Sequence, residues 1–472
     1  MLKKNNLFFK KLESFKKNTA LILENNKLIT YKELLLGTNK ISKLIEKEKK
    51  LIFLLGRNDL ETITAYISFI NKGHAVAFLD FRINKIFLKR LVKLYKPNYI
   101  FSEKKKLITI NLYSPILNFK SYVLYKRKVG IKNILNKDLM LLMSTSGSTG
   151  SPKFVRQSYL NINSNTRKII QYLNIKNKDV TITSLPISYV YGLSVINTHL
   201  QVGATIVLTN YSMVEKKFWD LIENHKVNNL SGVPYNYSII EKISKKGLPS
   251  SLKYTTQAGG KMNHILLKKI INIYKKNKIE LIQMYGAAEA TSRMSYLKWK
   301  FAEKKIGSIG KSIPGGSFYL IDKNDKKINR KTKKINRKGE LIYYGKNVCM
   351  GYAENLKDLS LGDLNKGILK TGDIAYEDSE GFFYIEGRKN RYVKIYGIRV
   401  NLSELETILS KKGIDVIMRE GKENKINLYF KDSNKIERGI KYISNITSIN
   451  SHVFVSKTLS KKNLTNNLKY KL

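Results

Sequence analysis

Between residue 50 and about residue 300, short, mainly apolar runs alternate with longer stretches in which apolar residues recur every three to four positions. The runs 51–55, 74–79, 204–208, 230–233 and 280–284 are short and mainly apolar, the first of them without a break, so they predict buried strands. The stretches 59–71, 214–225 and 264–276 predict helices. In the last of these, Leu266, Ile270, Ile273 and Tyr274 share one face. Such alternation predicts an α/β fold with parallel-type sheets. From about 305 the pattern changes to short strands and turns, at 317–321, 339–344 and 381–385. That predicts a β-rich subdomain, a small barrel being one form it can take. The charged, glycine-led turn at 387–391 predicts a boundary between an N-terminal domain, 1–387, and a small α+β domain, 388–472. In the latter, a strand is predicted at 392–395, a helix at 403–411, strands at 415–419 and 425–430, and a helix at 434–443. The Lys/Arg/Asn-rich stretch 323–338 reads as a solvated loop or hairpin.

At 472 residues the chain exceeds one ordinary domain, and 42% hydrophobic residues suffice for a sizeable core. No apolar run approaches the ~20 residues that cross a bilayer. The segment 1–17 alternates Lys with Leu and Phe and lacks the continuous apolar core of a signal peptide. It reads as a first helix or arm, with a basic membrane-surface helix as the alternative. The single cysteine, Cys349, excludes an internal disulfide, fits a reducing cytoplasm and reads as a packing residue. The formal net charge of +51 invites a nucleic-acid reading. Yet 73 of the 87 basic residues are Lys and only 14 are Arg, the residue better suited to phosphates and bases. They are spread along the whole chain, and no helix-turn-helix, zinc finger or aromatic RNA-binding signature accompanies them, so no specific nucleic-acid partner is expected. Lys, Asn and Ile together suggest AT-rich coding, which the base composition of the genome tests. A basic surface still favours acidic partners, such as a carrier protein or an anionic membrane.

The candidate chemistry begins where the apolar run 139–143 gives way to Ser144, Thr145, Ser146, Gly147, Ser148, Thr149, Gly150, Ser151, Pro152 and Lys153. A strand running into such a loop presents hydroxyls, backbone N–H groups and one lysine charge, which can wrap a polyphosphate. A plain Ser/Gly linker is the other reading. It is not a Walker A loop, because no Gly-Lys-Ser/Thr follows at the required spacing. Further motifs follow in order: Leu185-Pro-Ile-Ser-Tyr-Val-Tyr-Gly192, Gln257-Ala-Gly-Gly-Lys261, Gln283-Met-Tyr-Gly-Ala-Ala-Glu-Ala-Thr291, Thr371-Gly-Asp373, Gly387-Arg388, Lys394-Ile-Tyr-Gly-Ile-Arg-Val400, Glu404-Leu-Glu406 and Ser456-Lys-Thr-Leu-Ser-Lys-Lys462.

This ordered set resembles that of the adenylate-forming enzymes, the superfamily of acyl-CoA synthetases, carrier-protein ligases and peptide-synthetase adenylation domains. The resemblance runs from about Leu139 to Leu468. It implies a large N-terminal domain of several subdomains and a small, mobile C-terminal one. It assigns Thr145, Ser146, Gly147, Ser148, Thr149, Gly150 and Lys153 to the β- and γ-phosphates of ATP, with Phe154 in place of a usual glycine. Tyr189 replaces a usual histidine beside the acyl pocket, as a gate or, with Tyr191, as core; Gly192 ends that segment. Gln257, Ala258, Gly259 and Gly260 would line acyl group and adenine, the glycines letting a planar ligand approach the main chain. Met284 joins the pocket. Tyr285, followed by Gly286, would stack on adenine, and Glu289 is a hard oxygen ligand for Mg²⁺. Ala288 replaces a threonine, leaving one hydroxyl contact missing, with Thr291 as a partial substitute. Asp373 would accept both ribose hydroxyls, Arg388 would reach the ribose, and Asn390 would be the hinge. Lys394 and Gly397 fall on the face that lines the thiol tunnel after rotation. Lys462, or less closely Lys461, matches the lysine that bridges carboxylate and α-phosphate, with Ser456 and Lys461 standing where Pro and Gly are usual.

The resemblance thus implies an ATP- and Mg²⁺-dependent acid–thiol ligase that forms an acyl-adenylate and passes it to CoA or to the phosphopantetheine arm of a carrier protein. Amino-acid-activating members carry an aspartate near the 185 segment, whereas no Asp or Glu lies between Asp179 and Glu215 here. A buried ammonium would go unpaired, so a fatty, aryl or hydroxy acid is expected. No carrier domain is expected after residue 472. Three alternatives stand beside this reading. One is a degenerate nucleotide-binding scaffold, motivated by Phe154, Ala288 and Lys461. The others are an amino-acid–carrier-protein ligase and a basic nucleic-acid-binding protein.

Overall fold

The computed structural model describes residues 9–104, 111–131, 134–144, 153–328, 338–388, 392–396, 398–410, 412–421, 423–430, 432–447 and 449–458. Contacts group the chain into a larger compact unit drawn from residues up to Gly387 and a smaller one built on Arg388–Leu472.

Two sheets form the larger unit. In the first, Leu51–Gly56 pairs in parallel with Ala75–Asp80 and Tyr99–Glu103, and Ala75–Asp80 pairs in parallel with Leu139–Ser144. Every residue of Leu51–Gly56 is buried, as expected for a parallel strand covered on both faces. The helix Leu60–Asn71 is capped by Asp59, whose side chain accepts from the Thr62 N–H. Leu139–Ser144 turns back antiparallel onto Phe154–Ser158, with Ser144 opposite Phe154. The Ser/Thr/Gly loop therefore starts and ends on paired backbone. Phe154 is buried and meets Tyr95 and Phe53 edge-on, at 4.8 and 6.2 Å between ring centroids. A glycine there would lose that anchor, so the unusual residue pins the loop's exit by packing.

In the second sheet, Thr205–Val207, Val180–Ile182, Asn229–Gly232, Tyr254–Gln257 and Glu280–Tyr285 are successive parallel neighbours. The sheet continues antiparallel through Ser295–Leu297 and Ser308–Ser312. Ser308–Ser312 also pairs with Phe383–Arg388, which leads on to Ile368–Glu377, Lys338–Gly345 and Gly316–Ile321. The β-rich region is therefore joined to the parallel-type sheet through the strand Ser308–Ser312. It extends the parallel-type sheet into one ladder of 13 strands among the described residues.

At the start of the described chain, Phe9 and Leu12 are buried in the main core, and Phe15 packs on Tyr31 at 5.8 Å. From Phe9 onward this segment is core, not a membrane-surface helix. Among the described residues no helix is long and apolar enough to cross a membrane.

The smaller unit holds the hairpin Tyr392–Ile395/Ile398–Asn401, the helices Leu402–Ser410 and Ile436–Thr447, and a sheet of Val416–Glu420, Ile426–Phe430 and Phe454–Thr458. Val400, Leu405, Leu409, Met418, Leu428, Phe430 and Ile443 make its core. The second helix starts later than its apolar pattern suggests because Asp432 caps a separate turn, accepting from the Asn434 N–H.

Candidate active site

Three adjacent parallel strands, Asn229–Gly232, Tyr254–Gln257 and Glu280–Tyr285, end side by side. The carboxyl ends of such strands are where open α/β sheets bind ligands. Here they deliver Val233, Ala258–Gly260 and Gly286 to one edge. Gly259 has φ of +84°, and a Cβ on it would lie 2.9 Å from Val233 Cγ1 and 3.1 Å from the Tyr189 hydroxyl. The Gln257 side chain holds this turn by donating to the Gly260 carbonyl at 2.9 Å. Gly286 tolerates no side chain at all, since a Cβ would fall 1.7 Å from the Ser292 carbonyl oxygen. At Gly192 a Cβ would approach the Pro186 carbonyl oxygen to 2.2 Å, so the helix Val190–Gln201 needs this glycine to sit on the 185–189 segment.

Tyr285 donates its phenolic hydrogen to Asp373 Oδ2. The residue matched to adenine and the residue matched to ribose thus touch although 88 positions separate them. Asp373 is buried, and its N–H donates to Thr371 Oγ1, which in turn donates to the Leu341 carbonyl.

Glu289 lies in the single turn Ala288–Ala290, tied down on both sides. The Gln157 side chain donates to the Ala288 carbonyl at 2.8 Å, and the Cys349 N–H donates to the Glu289 carbonyl at 2.8 Å. Its carboxylate accepts from the Tyr352 hydroxyl at 2.7 Å. The same Tyr352 ring lies 4.7 Å beneath the Lys153 ammonium. A lysine from the exit of the Ser/Thr/Gly loop, an aromatic ring and a buried carboxylate therefore stand in series. Among the described residues no group of three His, Cys, Asp or Glu could hold a metal alone. That donor set suits Mg²⁺, which takes one or two carboxylates and completes its shell with phosphate oxygens and water.

Thr291 does not substitute for the missing hydroxyl at 288. Its φ is +66°, and its hydroxyl is committed to the Asn347 carbonyl at 2.6 Å.

Tyr189, Ala258 and Met284 come together in a cluster with Leu185, Tyr191, Val195, Val233 and Ile282, bordered by Tyr172, Tyr254 and Tyr296. Tyr172 and Tyr296 stack at 4.1 Å. Burial pushes the Tyr189 phenol up to about 12. Its hydroxyl lies beside the Gly259 turn and its ring meets Tyr191 edge-on at 6.4 Å, so it is packed against the strand ends. No acidic side chain reaches this cluster from the helix Val190–Gln201; a buried arginine, Arg293, borders it instead.

Thr145, Ser146, Gly147, Ser148, Thr149, Gly150, Asn390, Gly397, Lys461 and Lys462 lie outside the described residues, as do the side chains of Arg388 and Lys394. The Lys394 backbone pairs with Arg399 in the 392–401 hairpin. In the Glu404/Glu406 motif, Glu406 serves the fold, accepting from the Met418 N–H at 2.5 Å.

Sequence reasoning missed Tyr352, Gln157, Arg156 and Arg293. Arg156 and Arg293 did carry a signal: each is a rare arginine in a lysine-rich chain, set among residues that read as buried. Tyr352 carried none beyond following Gly351.

A glycine-lined shelf at the strand ends, a carboxylate–tyrosine pair beside it and an anchored acidic turn facing a lysine form the layout of an adenylate-forming enzyme. The chain belongs to the AMP-binding enzyme family, whose model matches residues 8–353. The match begins well before Leu139, so the region in which motif reading found no chemistry is part of the family fold. The chain is 26% identical over 401 residues to 2-succinylbenzoate–CoA ligase of Listeria innocua, covering 83% of this chain and 80% of that protein. It is 28% identical over 275 residues to indoleacetate–CoA ligase of Aromatoleum aromaticum, covering 58% and 52%. The fold resembles o-succinylbenzoate CoA synthetase of Bacillus subtilis bound to a product analogue, with a TM-score of 0.74 at 20% identity over 98% of both chains.

Proposed function

We propose that this protein activates an aryl-bearing carboxylic acid with ATP and Mg²⁺, releasing pyrophosphate, and transfers the acyl group from AMP to the thiol of CoA. The Lys153–Tyr352–Glu289 series beside the Tyr285–Asp373 pair carries this reading, because it sets a phosphate-side charge, a metal-type carboxylate and a ribose-type acceptor around one shelf. The relatives named above are ligases joining aryl acids to CoA, and the tyrosine-lined cluster offers flat apolar walls to a ring.

The chemistry is a problem of like charges. A carboxylate must attack the α-phosphorus of ATP, and both are anions. Lys462 neutralises that approach, and the 145–153 loop steadies the departing pyrophosphate with N–H groups, hydroxyls and the Lys153 charge. Mg²⁺, when bound at Glu289 and the phosphates, supplies charge neutralisation. Asp373 and Tyr285 hold ribose and adenine so that the α-phosphorus faces the acid. The adenylate is a mixed anhydride that a thiol opens. Residues 388–472 act as a mobile domain about Asn390, exchanging Lys462 for the Lys394/Gly397 face between the two half-reactions. With Ala288 in place of a threonine and Thr291 engaged elsewhere, the α-phosphate loses one hydroxyl contact. That favours a slow first half-reaction, and in the limit the scaffold reading.

The test is pyrophosphate release with ATP, Mg²⁺ and a panel of aryl, fatty, hydroxy and amino acids, each with and without CoA. Release tied to aryl acids, with the matching acyl-CoA formed, is expected. Adenylate without thioester would point to a carrier-protein thiol. Nucleotide binding with no release, unchanged in Lys462→Ala, would establish the scaffold instead.

A further inference from the structure

Arg156 and Arg293 are both fully buried arginines of the larger unit, and they are treated very differently. Arg156 is saturated by backbone: Nε donates to the Tyr352 carbonyl, Nη1 to that of Leu361, and Nη2 to those of Met350 and Gly362. Arg293 has no such set. Its Nη1 reaches the Tyr172 hydroxyl at 3.3 Å and the Met284 sulfur at 3.2 Å, and its Nη2 reaches Ser194 Oγ at 3.0 Å. Its Nε is buried with no partner. The guanidinium lies 4.4 Å from the centroid of the Tyr191 ring, and among the described residues no carboxylate pairs with it. A second orphan, the Tyr254 hydroxyl, is buried on the rim of the same cluster, where the charges of both Asp179 and Arg293 act on it.

A cation buried without a counter-ion is costly, and a π face with weak donor contacts offsets only part of that cost. The main chain nevertheless places it deliberately. The Arg293 carbonyl accepts from the side chains of Asn165 at 2.8 Å and Asn347 at 3.1 Å, and the next residue's N–H donates to the Tyr285 carbonyl. The backbone that fixes the adenine-side tyrosine thus also aims a guanidinium into the wall of the acyl cluster.

We propose that Arg293 determines acid specificity, and that the acid activated carries a second carboxylate that pairs with this guanidinium while the first one reacts. This rests on the acid-activating reading above. The Nε edge is the side on which a carboxylate can bind through two parallel N–H bonds. Tyr254 is placed to donate a further hydrogen bond. At a site as buried as this guanidinium such a pair is strong, and a substrate lacking the second carboxylate leaves the arginine unpaired. An α-ammonium would meet like charge, which is a separate reason why amino acids are poor candidates.

The experiment uses the full-length protein with ATP, Mg²⁺ and CoA. It compares kcat/KM for pyrophosphate release with matched acids: phenylacetate against 2-carboxyphenylacetate, and 4-oxo-4-phenylbutanoate against 2-succinylbenzoate. The wild type is expected to prefer the diacid of at least one pair by about a hundredfold or more. Arg293→Met should erase most of that ratio and Arg293→Lys should keep part of it, with the KM for ATP unmoved in both. A merely structural arginine would lower all rates together and leave the ratio intact, which overturns the proposal. Equal use of monoacids and diacids by the wild type overturns it without any variant, should Arg293→Met fail to fold. Release with monoacids alone sinks this inference and leaves the acid-activating reading standing. No release with any acid sinks both.

Discussion

At the scale of single residues, the site is held by hydrogen bonds between residues far apart in the sequence. Tyr352 orients Glu289 through one bond to a charged oxygen. Such a bond contributes about 1.5–3 kcal/mol. Tyr352→Phe should therefore lower kcat about tenfold or more and raise the Mg²⁺ concentration for half-maximal rate, while Glu289→Gln should cost more on both measures. A Mg²⁺ titration of pyrophosphate release that moves with neither variant would remove Glu289 from the metal site. Asp373 already accepts from Tyr285, which shows its carboxylate facing the shelf. Asp373→Asn should raise the KM for ATP about tenfold or more, since a charged acceptor for hydroxyls becomes a neutral one. Cys349 is buried, and burial pushes its thiol up to about 12. It should resist iodoacetamide in the native protein at pH 8 and react fully after denaturation, as mass spectrometry would read.

At the scale of elements, the strand Phe154–Ser158 does more than follow the Ser/Thr/Gly loop. Phe154 packs it against the first sheet, Gln157 ties it to the Glu289 turn, and Arg156 binds the segment 350–362 that carries Tyr352. Its sequence, Phe-Val-Arg-Gln-Ser, forms a fully buried strand, and nothing local says what an arginine does inside it. Arg156→Met keeps the volume and strands four carbonyl acceptors. It should cost about 3 kcal/mol or more in stability, seen as a lower denaturant midpoint. It should also raise the Mg²⁺ concentration for half-maximal rate, as Tyr352→Phe does, because the Tyr352 segment loses its clamp. The helices show how far local pattern reaches. Those expected at 59–71 and 264–276 form as Leu60–Asn71 and His264–Asn277, each with an Asx cap at its start. Apolar period and capping residue coincide there, which is why the bounds were legible.

At the scale of the whole molecule, two buried histidines couple the fold to pH. Burial holds His74 and His199 down at about 4, below their ordinary 6.5. The unfolded chain therefore takes up protons near pH 6.5 that the folded chain refuses until about pH 4. Their contribution to stability is complete above 6.5 and is lost as pH falls through that window. Thermal midpoints should drop between pH 6.5 and 4.5, and the slope should flatten in His199→Gln. The charge of +51 belongs to this scale too. Much of it is exposed lysine, whose mutual repulsion weakens with salt, and it has no part in shaping the shelf.

By itself the sequence determined what depends on order along the chain. Short, mainly apolar runs make buried parallel strands, and the ordered motifs from Thr145 to Lys462 mark an adenylate-forming enzyme, since each motif is a contiguous stretch whose backbone needs are local. Gly259, whose φ of +84° is a local backbone need, and Gly286, hemmed in by the Ser292 carbonyl six residues on, are examples. Only the tertiary structure decided how motifs meet. It joined Tyr285 to Asp373 and Lys153 to Glu289 through Tyr352, assigned the Thr291 hydroxyl to Asn347, and merged the expected β-rich subdomain into a continuous sheet. It also left Arg293 buried without an acid. Burial and pairing between residues a hundred positions apart are set by how sheets stack and which strand lies beside which, and no local pattern of apolar and polar positions encodes them.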